Sequence, residues 1–282
     1  MFVKQRMRTV FTVSSLLILM FTVMLGVVLA VTSTTLVTPS NVGVDWFPND
    51  TRAGGHGTFV SGPDTPPLGI GSFQMTTTDT QGGSSQAKAQ LFNYSYIGAS
   101  LADIDALSYW AYRSSGSTNP SAQTISLNIE VDFVGDGSSY TTLVFEPIYN
   151  GYQGAMLTDQ WQLWDAYDDG NAVWWSTKTI PGICAFNCFV SWDTILTHNP
   201  DAKIKYGLGL NVGSGWVGDY SGTTDALSIG VAGNTTEYDF EPYKVATTKD
   251  DCKNGGWQTV KRADGSSFKN QGDCIQYVNT GK

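Results

Sequence analysis

LNIEVDFVGDGSSYTTLVFEP, residues 127–147, decides the fold class. Leu127, Ile129, Val131 and Phe133 alternate with Asn128, Glu130 and Asp132, the two-residue period of a strand buried on one face. Gly135-Asp136-Gly137-Ser138-Ser139 then turns the chain, and a second strand starts at Tyr140. Pairing Phe133 with Thr141, Val131 with Leu143 and Ile129 with Phe145 places both apolar sets on one face. The stretch therefore predicts a hairpin at the heart of an antiparallel sheet.

Outward from it the same period recurs. Gly71–Thr77, Gln86–Phe92 and Leu107–Arg113 read as strands before the hairpin, and Tyr206–Val212, Asp225–Val231 and Thr236–Glu241 as strands after it. Val44–Phe47 is a further short candidate. Ser100–Ala106 reads as a helical turn, and Ser191–Asn199 as the one true helix, capped by Ser191 and stopped by Asn199-Pro200. Gly54–Gly71, dense in Gly and Pro, reads as an ordered loop. Roughly nine to eleven strands at this spacing make an all-β antiparallel β-sandwich of jelly-roll or concanavalin-like type, followed by a short disulfide-closed C-terminal hairpin.

Composition agrees. The 282 residues are 12% aromatic and only 15% charged, with 31 glycines, which suits many short strands and tight turns better than surface helices. A net charge of −9 without a basic cluster argues against nucleic acid and anionic membrane surfaces as partners. There is no Gly-rich phosphate loop, no dinucleotide fingerprint and no Ser-His-Asp arrangement. His56 and His198 are the only histidines, so catalysis through imidazole is disfavoured.

Residues 1–30 carry Lys4, Arg6 and Arg8 before an apolar run. That is a signal peptide cleaved after Ala30, or alternatively a retained membrane anchor. Both readings place the remainder outside the cytoplasm, secreted or at the cell surface, with membrane contact only through this segment if it is uncleaved. Residues 31–43 read as a Thr/Ser-rich linker, 44–246 as the sandwich and 247–282 as a small Cys-closed element.

Cys252, Lys253, Gly255, Gly256 and Trp257, followed by Phe268-Lys269-Asn270-Gln271-Gly272-Asp273-Cys274 and Tyr277, resemble a CKxGGW…FKNQGDC tail carried by many exported bacterial proteins. FVSGPDTPPLGIGS, LVFEPIYN, WQLWDA and YDFEP, within residues 44–243, resemble a group of uncharacterised secreted bacterial jelly-roll domains. The resemblance implies fold and export, and no activity. Four cysteines in an exported chain suggest two disulfides, with three possible connectivities. Locality favours Cys184 with Cys188 and Cys252 with Cys274. A zinc site is disfavoured by the C-x3-C spacing and the shortage of histidine.

Three kinds of chemistry are candidates. In the pairing above Glu146 lies diagonally from Glu130, close enough for the acid and nucleophile of a retaining glycosidase. Glu130-Val131-Asp132 also resembles part of the E-x-D-x-x-E strand of laminarinase-type glycosidases, but Gly135 stands where the second Glu belongs, so a solvated polar face is the preferred reading. Asp132 and Asp136 in the Gly-rich turn, with Asp225, are candidate oxygen ligands for a structural Ca2+. Trp161, Trp164, Trp174 and Trp175 lie beside Asp165 and Tyr167, and Trp216 sits in a glycine loop. Adjacent Trp174 and Trp175 must face opposite ways if extended, so at least one is available to stack on a sugar ring while carboxylates accept from its hydroxyls.

The sequence thus leads to an exported, non-catalytic recognition module with carbohydrate as the leading ligand and a glycan or cell-envelope polymer as partner. A structural or adhesive surface protein using the sandwich as a spacer is the rival, and a glycan hydrolase a further alternative.

Overall fold

A computed structural model describes residues 31–79, 86–185 and 188–282; the signal peptide or anchor expected over 1–30 lies outside them. Fourteen strands follow in chain order among the described residues: β1 (Val31–Val37), β2 (Trp46–Phe47), β3 (Gly55–Ser61), β4 (Gly71–Thr77), β5 (Lys88–Asn93), β6 (Ile104–Arg113), β7 (Ser126–Asp132), β8 (Thr141–Phe145), β9 (Trp161–Asp165), β10 (Val173–Ser176), β11 (Val190–Ser191), β12 (Lys203–Gly213), β13 (Tyr220–Val231) and β14 (Asn234–Phe240). Helix α1 (Trp192–His198) starts at Ser191, whose hydroxyl accepts the Thr194 N–H, and α2 (Lys249–Cys252) and α3 (Gln271–Thr280) close the chain.

The strands form two seven-stranded sheets packed face to face. In the second sheet the order is β11-β10-β8-β7-β12-β5-β2, with every neighbour antiparallel. In the first, β13 is the spine. It pairs along its length with β6, which carries β9, and its other edge is shared by β4 (with β3) and β14 (with β1). Between the sheets, Leu127, Ile129 and Val131 of β7 and Leu143 and Phe145 of β8 are buried with Leu107 and Tyr109 of β6 and Leu227 and Ile229 of β13. The Tyr109 hydroxyl crosses the core to donate to the Ile125 carbonyl, 2.7 Å away. The all-β sandwich read from the alternation is the fold.

Two stretches expected as irregular are strands. Val31–Val37, taken for a linker, is β1, paired in parallel with β14. Its side chains are exposed except near Val37, so it lacks the buried alternation from which a strand is recognised. Gly55–Ser61 of β3 lies within the expected Gly/Pro loop. Gly57 is required there because a Cβ would meet the Phe73 ring at 2.5 Å.

The β7–β8 hairpin holds a different register. Val131 pairs with Thr141 and Leu127 with Phe145, two residues away from the expected pairing. The cause is Asp132, whose carboxylate gathers the N–H groups of Val134, Gly137 and Ser139 and ends the strand before Phe133. Because the shift is even, every side chain keeps its expected face.

Both disulfides form with the local connectivity, Cys184–Cys188 and Cys252–Cys274, as suits an oxidising compartment. Among the described residues no helix is long and apolar enough to cross a membrane. The C-terminal element has its own small core of Ala246, Cys252, Val260, Phe268 and Cys274. It is a hairpin only at the Lys261–Ser267 bridge; the disulfide itself joins α2 to α3. Asn270 caps α3 through the Asp273 N–H, and Arg262 lies over the Phe268 ring while pairing with Asp273 at 2.7 Å. So small a core leans on its crosslink. Replacing Cys252 and Cys274 together by Ser is expected to cost this element about 3 kcal/mol. Hydrogen exchange should accelerate over residues 246–278 and leave β7 and β12 protected; unchanged exchange there would refute the dependence.

Candidate functional site

The outward face of the second sheet is recessed into a cleft of about 310 Å³. Alternation builds its floor. On β7, Asn128 and Glu130 point away from the core set; on β8, Thr142 and Val144 do so, with Glu146 just beyond the strand. β12 adds Asn211, and β5 adds Lys88 and Gln90 opposite it. Trp175 of β10 forms one wall, and Trp216 closes one end against Tyr220, with ring centroids 5.3 Å apart.

Two carboxylates stand in this cleft without ion pairs. Glu146 accepts from the Trp175 indole N–H at 2.9 Å, and Glu130 accepts from the Tyr140 hydroxyl at 3.1 Å. Burial pushes both carboxyls above their ordinary range. The indole hydrogen bond partly offsets this at Glu146, and the Tyr140 bond with nearby Lys88 does so at Glu130. The cations of the cleft go elsewhere: Arg52 grips Asp50 through two bonds of 2.8 Å, and Lys88 meets the same carboxylate at 2.6 Å. The Arg52 hydrogen bond outweighs desolvation and, with Lys88, holds the Asp50 carboxyl at about 2.

Two acceptors in the floor lack a donor. Among the described residues, Gln90 Oε1 and Asn211 Oδ1 are buried and meet no hydrogen-bond partner, while the Asn211 amide nitrogen is turned to the Gly213 carbonyl at 2.8 Å. Buried acceptors left open cost free energy unless something donates to them. Both oxygens are closed off from solvent in the floor, so the groups that a ligand would meet are the Glu130 and Glu146 carboxylates, the Asn128 side chain and the Trp175 indole.

Of the residues singled out in the sequence, Trp175 and Trp216 come together here. Trp174 points into the core, as its adjacency to Trp175 required, and donates to the Ala166 carbonyl at 2.9 Å. The others lie elsewhere. Trp161 and Trp164 are on β9 of the first sheet; Trp164 is buried, and Trp161 donates to the Pro63 carbonyl at 3.0 Å. Asp165 Oδ1 accepts the N–H groups of Tyr167 and Asp168, which makes it the organiser of a turn. The Tyr167 ring meets Trp192.

The calcium trio is not a site. Among the described residues no three His, Cys, Asp or Glu side chains group as cation ligands. Burial opposes charge on Asp132, but the Ser139 hydroxyl and the Gly137 and Val134 N–H groups hold its carboxyl at about 2, so its oxygens are already engaged. Asp136 accepts the Ser138 N–H at 2.8 Å, and Asp225 belongs to the other sheet. The donor set does not fit Ca2+.

The diagonal carboxylate pair is not there either. Glu130 faces Thr142, so Glu146 lies four positions further along β8, about 13 Å away in Cα separation at the rise of a strand. Sequence reasoning passed over Gln90, Asn128 and Asn211, although each occupies an alternate position between apolar residues where a plain outer face carries Ser, Thr or Lys. The chain matches no family model, no curated protein and no solved structure.

Proposed function

We propose that the protein is an exported recognition module that binds carbohydrate in the cleft on the outer face of its second sheet. One observation carries the reading: the half-buried Trp175 indole, held by Glu146, walls a cleft whose floor is otherwise polar, with Asn128, Glu130, Gln90 and Asn211. A pyranose presents an apolar face for the ring and hydroxyl donors for the acceptors. Hydrolysis loses the diagonal Glu130–Glu146 pairing that suggested it, since Glu130 faces Thr142.

Residues 31–282 are expected to bind members of a soluble and insoluble polysaccharide panel, and Trp175→Ala should weaken that binding about ten-fold or more, near 1.4 kcal/mol. The fold is checked by circular dichroism. A folded wild type that retains nothing from the panel, or a Trp175→Ala variant that binds as well as wild type, would refute the reading and favour the structural role.

A further inference from the structure

We propose that the glycan taken by this cleft bears free amino groups, a glucosamine-type polymer in preference to a neutral, acetylated or acidic one. The inference rests on the carbohydrate reading and names its ligand class. It starts from the charge inventory. The cleft is lined by three carboxylates, Asp50, Glu130 and Glu146, against two cations, Arg52 and Lys88. Both cations are paired with Asp50, and among the described residues Glu130 and Glu146 form no ion pair and are hydrogen-bonded to a phenol and an indole.

Other cations near the rim are committed to the backbone. Lys178 donates to the Tyr140 carbonyl at 3.1 Å, and Lys205 to the Gly137 and Ser139 carbonyls at 2.9 and 2.7 Å. A ligand must therefore bring its own positive charge. An ammonium is three donors on one atom, and in a shielded cleft a charge-assisted hydrogen bond is roughly twice as strong as a neutral one. An acidic sugar would meet the carboxylates and repel them, and acetylation would remove the charge that Glu130 and Glu146 await.

Once the sugar amines are protonated, further acid should weaken the selectivity. The groups facing Glu130 are Tyr140, Tyr94, Lys88 and Asp50, and those facing Glu146 are Trp175, Tyr149 and Tyr109. Burial raises both carboxyls, so as pH falls they take up protons earlier than ordinary glutamates and lose their hold on an ammonium.

Calorimetric titration of residues 31–282 at mildly acidic pH, where the amines of a glucosamine oligomer carry their protons, would compare a glucosamine hexamer with its N-acetylated counterpart, cellohexaose, an oligogalacturonate and oligolysine. The glucosamine hexamer is expected to bind about ten-fold tighter than the other glycans. The Glu130→Gln, Glu146→Gln double variant, checked for folding by circular dichroism, should reduce it to the level of the acetylated oligomer. Equal binding of neutral glycans, or a preference that survives the double variant, would overturn the inference and leave the carbohydrate reading standing. Oligolysine binding as tightly as the glucosamine oligomer would overturn it in favour of a cationic peptide. Failure of every glycan would sink the carbohydrate reading and this inference with it.

Discussion

Asp225→Ala is expected to cost about 3–5 kcal/mol of folding free energy, because it strips the buried Phe240 N–H and the half-buried Leu68 N–H of the carboxylate that accepts both. Asp225 is fully buried on β13, next to Ala226, whose φ of 49° marks a bulge against β6. Here β4 and β14, which share one edge of β13, part company. The carboxylate bridges the gap: Oδ1 accepts the Phe240 N–H at 3.0 Å and Oδ2 the Leu68 N–H at 2.9 Å. Phe240 is the last residue of β14, and Leu68 lies in the loop that leads into β4. Asn at this position keeps one acceptor and turns a donor towards the other N–H, so Asp225→Asn should cost about half as much.

The same residue gives the protein a pH dependence. Burial pushes the Asp225 carboxyl up to about 7, against the pull of the Phe240 and Leu68 N–H groups and with help from the charge of Asp239. In the unfolded chain it titrates near 3.9. The folded state therefore holds a proton that the unfolded state has released, and the associated stability is complete below about 4 and lost as pH rises to about 7. Urea unfolding should give a midpoint that falls between pH 5 and pH 7.5, with a shallower fall in Asp225→Asn. Glu241 and Asp239 are raised by burial in the same direction, so the difference between the two slopes isolates Asp225. Parallel slopes, or an Ala variant as stable as wild type, would contradict the account.

What the sequence revealed, and what it hid, follows from the range of the forces involved. Strand identity and facing are local: Leu127, Ile129 and Val131 announce a buried face through alternation alone, and the structure keeps that face. Register is not local. It was moved by one side chain, Asp132, whose capture of the Val134, Gly137 and Ser139 N–H groups cannot be told from an ordinary Asp-Gly turn by composition. β1 was hidden for the opposite reason, since an exposed edge strand has no buried side to betray it. The cleft was half visible. Trp175 was legible because adjacent strand residues diverge; Trp216, singled out for its glycine loop, reaches the end of the cleft from a largely buried position in the core. Gln90 and Asn211 become a pair only when β5 and β12 align them, a contact between residues about 120 positions apart that no spacing rule in the sequence encodes.

Trp174 and Trp175 test that division of faces directly. Trp174→Ala is expected to cost about 3–5 kcal/mol, and Trp175→Ala less than about 1 kcal/mol. Trp174 has no exposed surface and packs between Phe145 and Trp192, with centroids 5.7 and 5.3 Å away. Truncation opens a cavity between the sheets and α1 and leaves the Ala166 carbonyl without its indole donor. Trp175 is half-buried against the cleft, where water can replace what the ring excluded, and its loss falls on the Glu146 contact instead of the core. Urea unfolding of the two variants should therefore separate by several kcal/mol although the residues are neighbours in sequence. Equal destabilisation would place both rings in the packing and remove the wall of the cleft. The expected separation lets binding be measured on Trp175→Ala with the sandwich intact, so that a loss of glycan affinity reports on the site and not on the fold.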